Sequence, residues 1–158
     1  KYLLLFAMFI GGSAGSTGGG IKIVRWIVII KSIKRELFTS VHPEAVSPVR
    51  LGGNAIDERA VRGIQTFTLV YMLCFGFGAA LLMIDAARVG VDLSAFEGIA
   101  AAASTVGNVG PGFGRLGPMG SYEFFPIPSK LLMTFLMWIG RLEIIPVLVL
   151  LTSSYWRS

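Results

Sequence analysis

The chain is poor in the groups that most enzymes use for chemistry. It has one cysteine, Cys74, so no intramolecular disulfide can form and the redox compartment is left open. It has one histidine, His42, followed by Pro43, which reads as a solvated loop residue. Charged residues make up only 15% of the sequence, against about 25% for a typical soluble domain. Long charge-free runs take their place: 54% of residues are hydrophobic and the mean hydropathy is +0.72. These proportions describe an integral membrane protein. No secretory signal is recognisable, because the sequence opens at Lys1 inside an apolar run with no initiator methionine and no cleavage site, as expected for a piece of a longer chain.

Glycine is abundant and clustered. The apolar run Tyr2 to Ile10 meets a ten-residue loop, Gly11 to Gly20, that holds six glycines, and a second apolar run continues from Ile21 to Ile33. Neither half reaches the roughly 20 residues needed to cross a bilayer, but together they read as one spanning helix broken around a site. Ile64 to Ile84 is a spanning candidate of 21 residues without a charge. Leu93 to Ser104 is too short to span and carries Glu97, the pattern of a re-entrant helix. Lys130 to Leu151 would be about 33 Å long as a helix, enough to cross.

The net charge of +5 fits topology better than nucleic-acid binding, given where the charges lie. From Lys22 to Arg62 there are eight Lys or Arg against four acids, and from Asp85 to Lys130 three against four. Positive loops stay cytoplasmic, which puts the 31–63 linker inside and the 85–130 region outside. Within the linker, Gly52-Gly53 marks a loop, and a short helix capped by Asn54 is expected after it.

The stretch Thr105-Val106-Gly107-Asn108-Val109-Gly110 follows the short apolar helix. An irregular backbone at membrane depth is tolerated only where it is buried in protein or lines a water-filled cavity. A strip so poor in large side chains can present carbonyls to a cation in place of its water shell, so Thr105, Val106, Gly107 and Asn108 are the candidate ion ligands. Gly107 is expected to take backbone angles closed to other residues. Standing alone, this strip reads first as an external glycine-rich loop; the flanking helices and the preceding short helix favour a filter.

Gly11-Gly12-Ser13-Ala14-Gly15 formally matches the hydrolase pattern G-x-S-x-G, but that motif needs a preceding strand and a histidine base. His42, in the linker, is poorly placed to serve. Gly20-Ile21-Lys22 also lacks the Gly-Lys-Ser/Thr ending of a phosphate loop. Arg141 falls in the middle of the last apolar run, where an isolated arginine costs at least about 2.5–3.5 kcal/mol, so it should face a cavity or a partner. Glu143, roughly 200° further round, needs a partner of its own. A structural salt bridge is the plainer reading of either residue.

The strip Thr105 to Gly114, the loop Gly11 to Lys22 and Trp138-Ile139-Gly140-Arg141-Leu142-Glu143 together resemble the Trk/Ktr/HKT superfamily of potassium transporters, in particular its bacterial membrane subunits. The resemblance runs the length of the chain. It implies an all-α membrane protein built from helix–pore helix–filter strand–helix repeats, four to a polypeptide. Residues 1–33 would be the broken second helix of one repeat, 34–62 a cytoplasmic linker, 63–152 a complete repeat with pore helix 93–104 and filter 105–110, and 153–158 a cytoplasmic tail. Gly11, Gly12, Ser13, Gly15, Ser16, Thr17, Gly18 and Gly19 would belong to an intramembrane gate loop, and Arg141 would be a basic residue facing the cavity beside it.

The implied activity is potassium uptake across the bacterial inner membrane by a multi-pass protein. Potassium would be held by the backbone of Thr105, Val106, Gly107 and Asn108, with no enzyme activity and no organic cofactor in this chain. The implied partners are the lipid bilayer, a second copy of the subunit and a cytoplasmic nucleotide-binding regulatory ring of the TrkA/KtrA kind. The basic linker could dock that ring or attract anionic headgroups, and the sequence leaves both open. Two other functions remain in view: a subunit of a tetrameric potassium channel, and an intramembrane serine hydrolase acting through Ser13.

Overall fold

The structure, a computed structural model, describes residues 2–12, 19–45 and 47–141. These are mostly helical, with five α-helices and one small hairpin. Helix α1, Tyr2–Ile10, stops where Gly11 turns left-handed at φ 69°. Helix α2, Ile23–Val41, restarts after two further left-handed residues, Gly20 at φ 90° and Lys22 at φ 62°. The break is tied across: the Ile23 N–H donates to the Gly12 carbonyl at 3.2 Å and the Trp26 indole N–H to that of Phe9 at 3.2 Å. Helix α2 continues well past the apolar half that ends at Ile33, into the linker.

There, β1 (Arg50–Leu51) and β2 (Asn54–Ala55) pair antiparallel, Arg50 opposite Ala55 and Leu51 opposite Asn54. The two-residue turn needs a left-handed backbone twice, and Gly52 (φ 59°) and Gly53 (φ 88°) supply it. The expected helix capped by Asn54 is therefore absent, because Asn54 is taken up by the hairpin. Helix α3, Glu58–Val89, begins four residues later and runs for 32 residues. Its first turns, Glu58 to Gly63, are polar yet helical, so the element is longer than the apolar run inside it. Gly90 closes it at φ 74°. Among the described residues α3 is the one helix long and apolar enough to cross a membrane by length and composition.

Helix α4, Ala95–Val106, starts in a capping box: the Ser94 hydroxyl accepts from the Glu97 N–H, and the Glu97 carboxylate accepts from the Ser94 N–H. It runs at 95–106 rather than 93–104. Ala100, Ala101, Ala102 and Ala103 are all buried, and their small side chains let α3 and α5 approach on either side. Helix α5 begins at Ile127, three residues before the expected Lys130, with Pro128 in its first turn, and is described to Arg141. Glu143, Pro146 and the 153–158 tail lie outside the described residues. One core cluster (Ile21, Phe67, Tyr71, Val106, Leu136, Ile139) joins the restart of α2 to α3, α4 and α5. A second (Ala79, Leu82, Ala101, Ala102, Leu116, Phe125, Met133) joins α3, α4 and α5 to the chain between α4 and α5.

Glu97 links two parts of this frame. Besides capping α4, it accepts from the Arg115 N–H at 3.0 Å and so fixes the loop that returns from α4. That backbone bond, more than any other influence, holds its carboxyl below the usual carboxylate range, with the Ser94 bonds helping. A lowered folded-state value means the stabilisation is complete above the ordinary carboxylate pKa of about 4.3 and is lost as pH falls through the folded value. Glu97→Ala in the full-length protein is expected to cost about 1 kcal/mol near neutral pH, the worth of a helix cap. The thermal-shift difference from wild type should shrink as pH falls below about 4.3. A difference that stays constant with pH would mean that the carboxylate charge is not what holds the loop.

Candidate functional site

The C-terminal end of α4 is the centre of the site. The helix stays regular through Thr105, whose hydroxyl donates back to the carbonyls of Ala101 (2.8 Å) and Ala102 (3.0 Å), and through Val106, buried in the core. It then closes in a Schellman arrangement: the Asn108 N–H donates to the Thr105 carbonyl at 3.2 Å and the Val109 N–H to that of Ser104 at 2.9 Å. Asn108 takes the left-handed position at φ 52°. The extended filter expected from Thr105 onward is corrected accordingly, since Thr105 and Val106 are helical. Gly107 sits at φ −76°, ψ −8°, angles open to any residue, so conformational freedom is not what the glycine provides.

What the glycines provide is proximity. A Cβ on Gly140 of α5 would lie 2.0 Å from the Val106 carbonyl oxygen. One on Gly19 would lie 2.6 Å from the Gly107 carbonyl oxygen, and one on Gly107 itself 2.8 Å from that of Ala103. Three segments thus meet backbone to backbone at one helix end. The Asn108 side-chain amide donates to the Met137 carbonyl at 3.0 Å and pins the turn to α5. Further on, Gly110 turns at φ 102°, and its carbonyl accepts from the Ser104 hydroxyl (2.8 Å) and the Tyr122 hydroxyl (3.0 Å).

A cavity of about 750 Å³ opens beside this junction. Met8, Gly11, Gly12 and Gly19 of the broken helix line it together with Gly107 and Asn108. The structure therefore brings five of the sequence-selected positions to one space: Gly11, Gly12, Gly19, Gly107 and Asn108. Thr105 and Val106 stand behind it, as the root of the wall rather than its surface. Ser13, Gly15, Ser16, Thr17 and Gly18 lie outside the described residues. Arg141 is exposed and follows Gly140 directly, at the last described position of α5.

Carbonyl-rich backbone at the negative end of a helix is a surface for a cation rather than an anion. Among the described residues, no group of three or more His, Cys, Asp or Glu side chains is placed to hold a metal ion. His42 stacks on Phe38 at 4.9 Å, at the far end of α2. With 19 residues in that helix, about 28 Å separates it from the start of α2 beside the glycine break. Gly140 was given no role by the sequence reading. Its signal was a lone glycine inside an apolar helical run, which often marks close backbone approach.

Comparison with known proteins agrees along the whole chain. The model of the TrkH family, described as a cation transport protein, matches residues 1–158. The Trk system potassium uptake protein TrkH of Vibrio parahaemolyticus serotype O3:K6 is 40% identical over 159 residues, covering 99% of this chain and 30% of that protein. TrkH of Escherichia coli K12 is 37% identical over 156 residues, covering 99% of this chain and 31% of that protein. The crystal structure of the potassium transporter TrkH from Vibrio parahaemolyticus superposes with a TM-score of 0.83 at 36% identity, over 98% of this chain and 31% of that one. The chain thus spans about a third of the length of the relatives it matches.

The backbone contacts predict a graded response to alanine. Gly140→Ala and Gly19→Ala each drive a Cβ into a carbonyl oxygen that cannot swing away, and each should cost about 1–3 kcal/mol, as overpacking does. Gly63→Ala in α3 meets nothing within 4 Å and should be neutral or stabilising by up to about 1 kcal/mol. Thermal unfolding of the three full-length variants measures this. Equal stability of Gly140→Ala and Gly63→Ala would show that α5 does not touch the end of α4.

Proposed function

The chain belongs to the TrkH cation transport family, and we propose that it forms part of a pore for potassium uptake in which the turn after α4 is one wall of the selectivity filter. The observation that carries this reading is the shared cavity: the candidate filter residues Gly107 and Asn108 and the candidate gate residues Gly11, Gly12 and Gly19 line the same space. Backbone carbonyls there would replace part of the hydration shell of potassium. Helix α4 would act as the pore helix, with its negative end towards the ion, and Thr105 and Val106 would anchor the wall to it. The 11–20 loop would obstruct the path as a gate, with Arg141 lending positive charge nearby.

The whole protein would be a multi-pass protein of the bacterial inner membrane, with the linker inside, working as a pair of membrane subunits with a cytoplasmic nucleotide-binding ring. Several repeats in one longer polypeptide fit the chain's share of its relatives, 30–31%, better than four identical short subunits. The relatives are named for potassium uptake, which gives the hydrolase reading no support.

Two variants test the two halves of the reading. Gly107→Ser places a side chain between the Ala103 carbonyl and Val109 and should shift the wall, lowering the uptake of potassium relative to sodium in proteoliposomes. Unchanged selectivity in a normally folded variant would take Gly107 out of the filter. Shortening the 11–20 loop should raise flux per folded molecule without abolishing assembly. If flux instead vanishes while the protein folds, the loop is a structural element and the gate assignment fails.

A further inference from the structure

On the linker side of the molecule a second cavity, of about 290 Å³, lies between α2 and the start of the hairpin. Lys31, Lys34, Arg35 and Arg50 line it, together with Phe38 and Pro48. Arg35 is already neutralised by Glu58 through two bonds of 2.6 and 2.9 Å. Lys31 donates to the Arg50 carbonyl at 2.7 Å, which draws the hairpin over the pocket but leaves the ammonium charge uncompensated. No ion pair involves Lys31, Lys34 or Arg50 among the described residues. Three cations thus converge on a concave site with no carboxylate of their own.

The surroundings distinguish the occupant. Ile30, Ile33, Leu37 and Val41, spaced three and four residues apart, form an exposed apolar stripe along α2 beside Lys34. The Arg35–Glu58 bridge sets the pocket level with the first turn of α3, six residues before the charge-free run of that helix begins at Ile64. A spanning helix leaves the hydrocarbon and enters the headgroup layer at this depth. An anionic group in the pocket and an acyl chain on the adjacent stripe describe a phospholipid, whereas an acidic protein surface would use the charges and leave the stripe bare.

We propose that the pocket formed by Lys31, Lys34 and Arg50 is a binding site for the phosphate headgroup of an anionic phospholipid of the cytoplasmic leaflet. It rests on the inward orientation of the linker and not on the filter or gate assignments. Basic residues at an anionic surface are each worth about a fivefold change in binding, so removing two should weaken it roughly twenty-five-fold.

The test uses the full-length protein in detergent, titrated with phosphatidylglycerol, with phosphatidylcholine of the same chain length and with inorganic phosphate, bound molecules being counted by native mass spectrometry. Wild type is expected to prefer phosphatidylglycerol. The double variant Lys34→Gln/Arg50→Gln, both at exposed positions, should bind it about twenty-five-fold more weakly, while Lys34→Arg keeps it. Equal binding of phosphatidylglycerol by wild type and the double variant overturns the proposal. Displacement of the lipid by an equal concentration of inorganic phosphate also overturns it, in favour of a soluble-anion site. So does a double variant that keeps its lipid but loses a cytoplasmic regulatory protein. Ion selectivity is not a readout here, so failure leaves the proposed conduction path standing or falling on its own tests.

Discussion

Everything near the cavity depends on how closely three backbones approach the end of α4. Gly140 brings α5 against the Val106 carbonyl, and Gly19 brings the broken helix against the Gly107 carbonyl. Contacts of this kind leave no room for a methyl group, so the separation of the segments is set by peptide geometry rather than by adjustable side chains. The buried alanines of α4 continue the same economy of volume along the helix. Larger residues, Tyr71, Leu82 and Phe125 among them, fill the space further from the junction. The result is a rigid helix end whose carbonyls are presented by the fold and held by the Ser104, Asn108 and Tyr122 hydrogen bonds.

How much of this was legible varied with the physics behind each feature. The break after Ile10 could be read because six glycines in ten residues leave little else possible. Helix α3 was legible as a charge-free run, but its polar first turns were not, since glutamate and arginine favour helix without showing apolar periodicity. The start of α4 was written in Ser94 and Glu97, a capping pair that places the first helical residue at Ala95. Gly52-Gly53 likewise encoded the two-residue hairpin, against which the capping preference of Asn54 carried no weight.

The lining of the cavity was legible in composition more than in conformation. Gly107, Asn108 and the loop glycines stood out by composition. That the backbone stays helical through Val106 depends on the Thr105 hydroxyl folding back on its own helix and on Asn108 accepting a left-handed angle, and neither is visible as a pattern. The meaning of Gly107 changed as well. Its missing side chain provides clearance from Ala103 and Val109, not freedom of rotation. Close approach between segments more than 30 residues apart in the chain is a tertiary fact, and a single sequence holds only its trace.

Helix α2 has one more consequence. It starts directly after the glycine break and ends in the linker, a continuous rod of 19 residues, about 28 Å long, that is joined to α3 about two thirds of the way along by the Arg35–Glu58 bridge. A rod of that length is a lever. Tilting it by about 5° about its linker end would carry Lys22 sideways by about 2.5 Å. A small rotation at the linker end of this helix is therefore amplified into a larger displacement at the loop end.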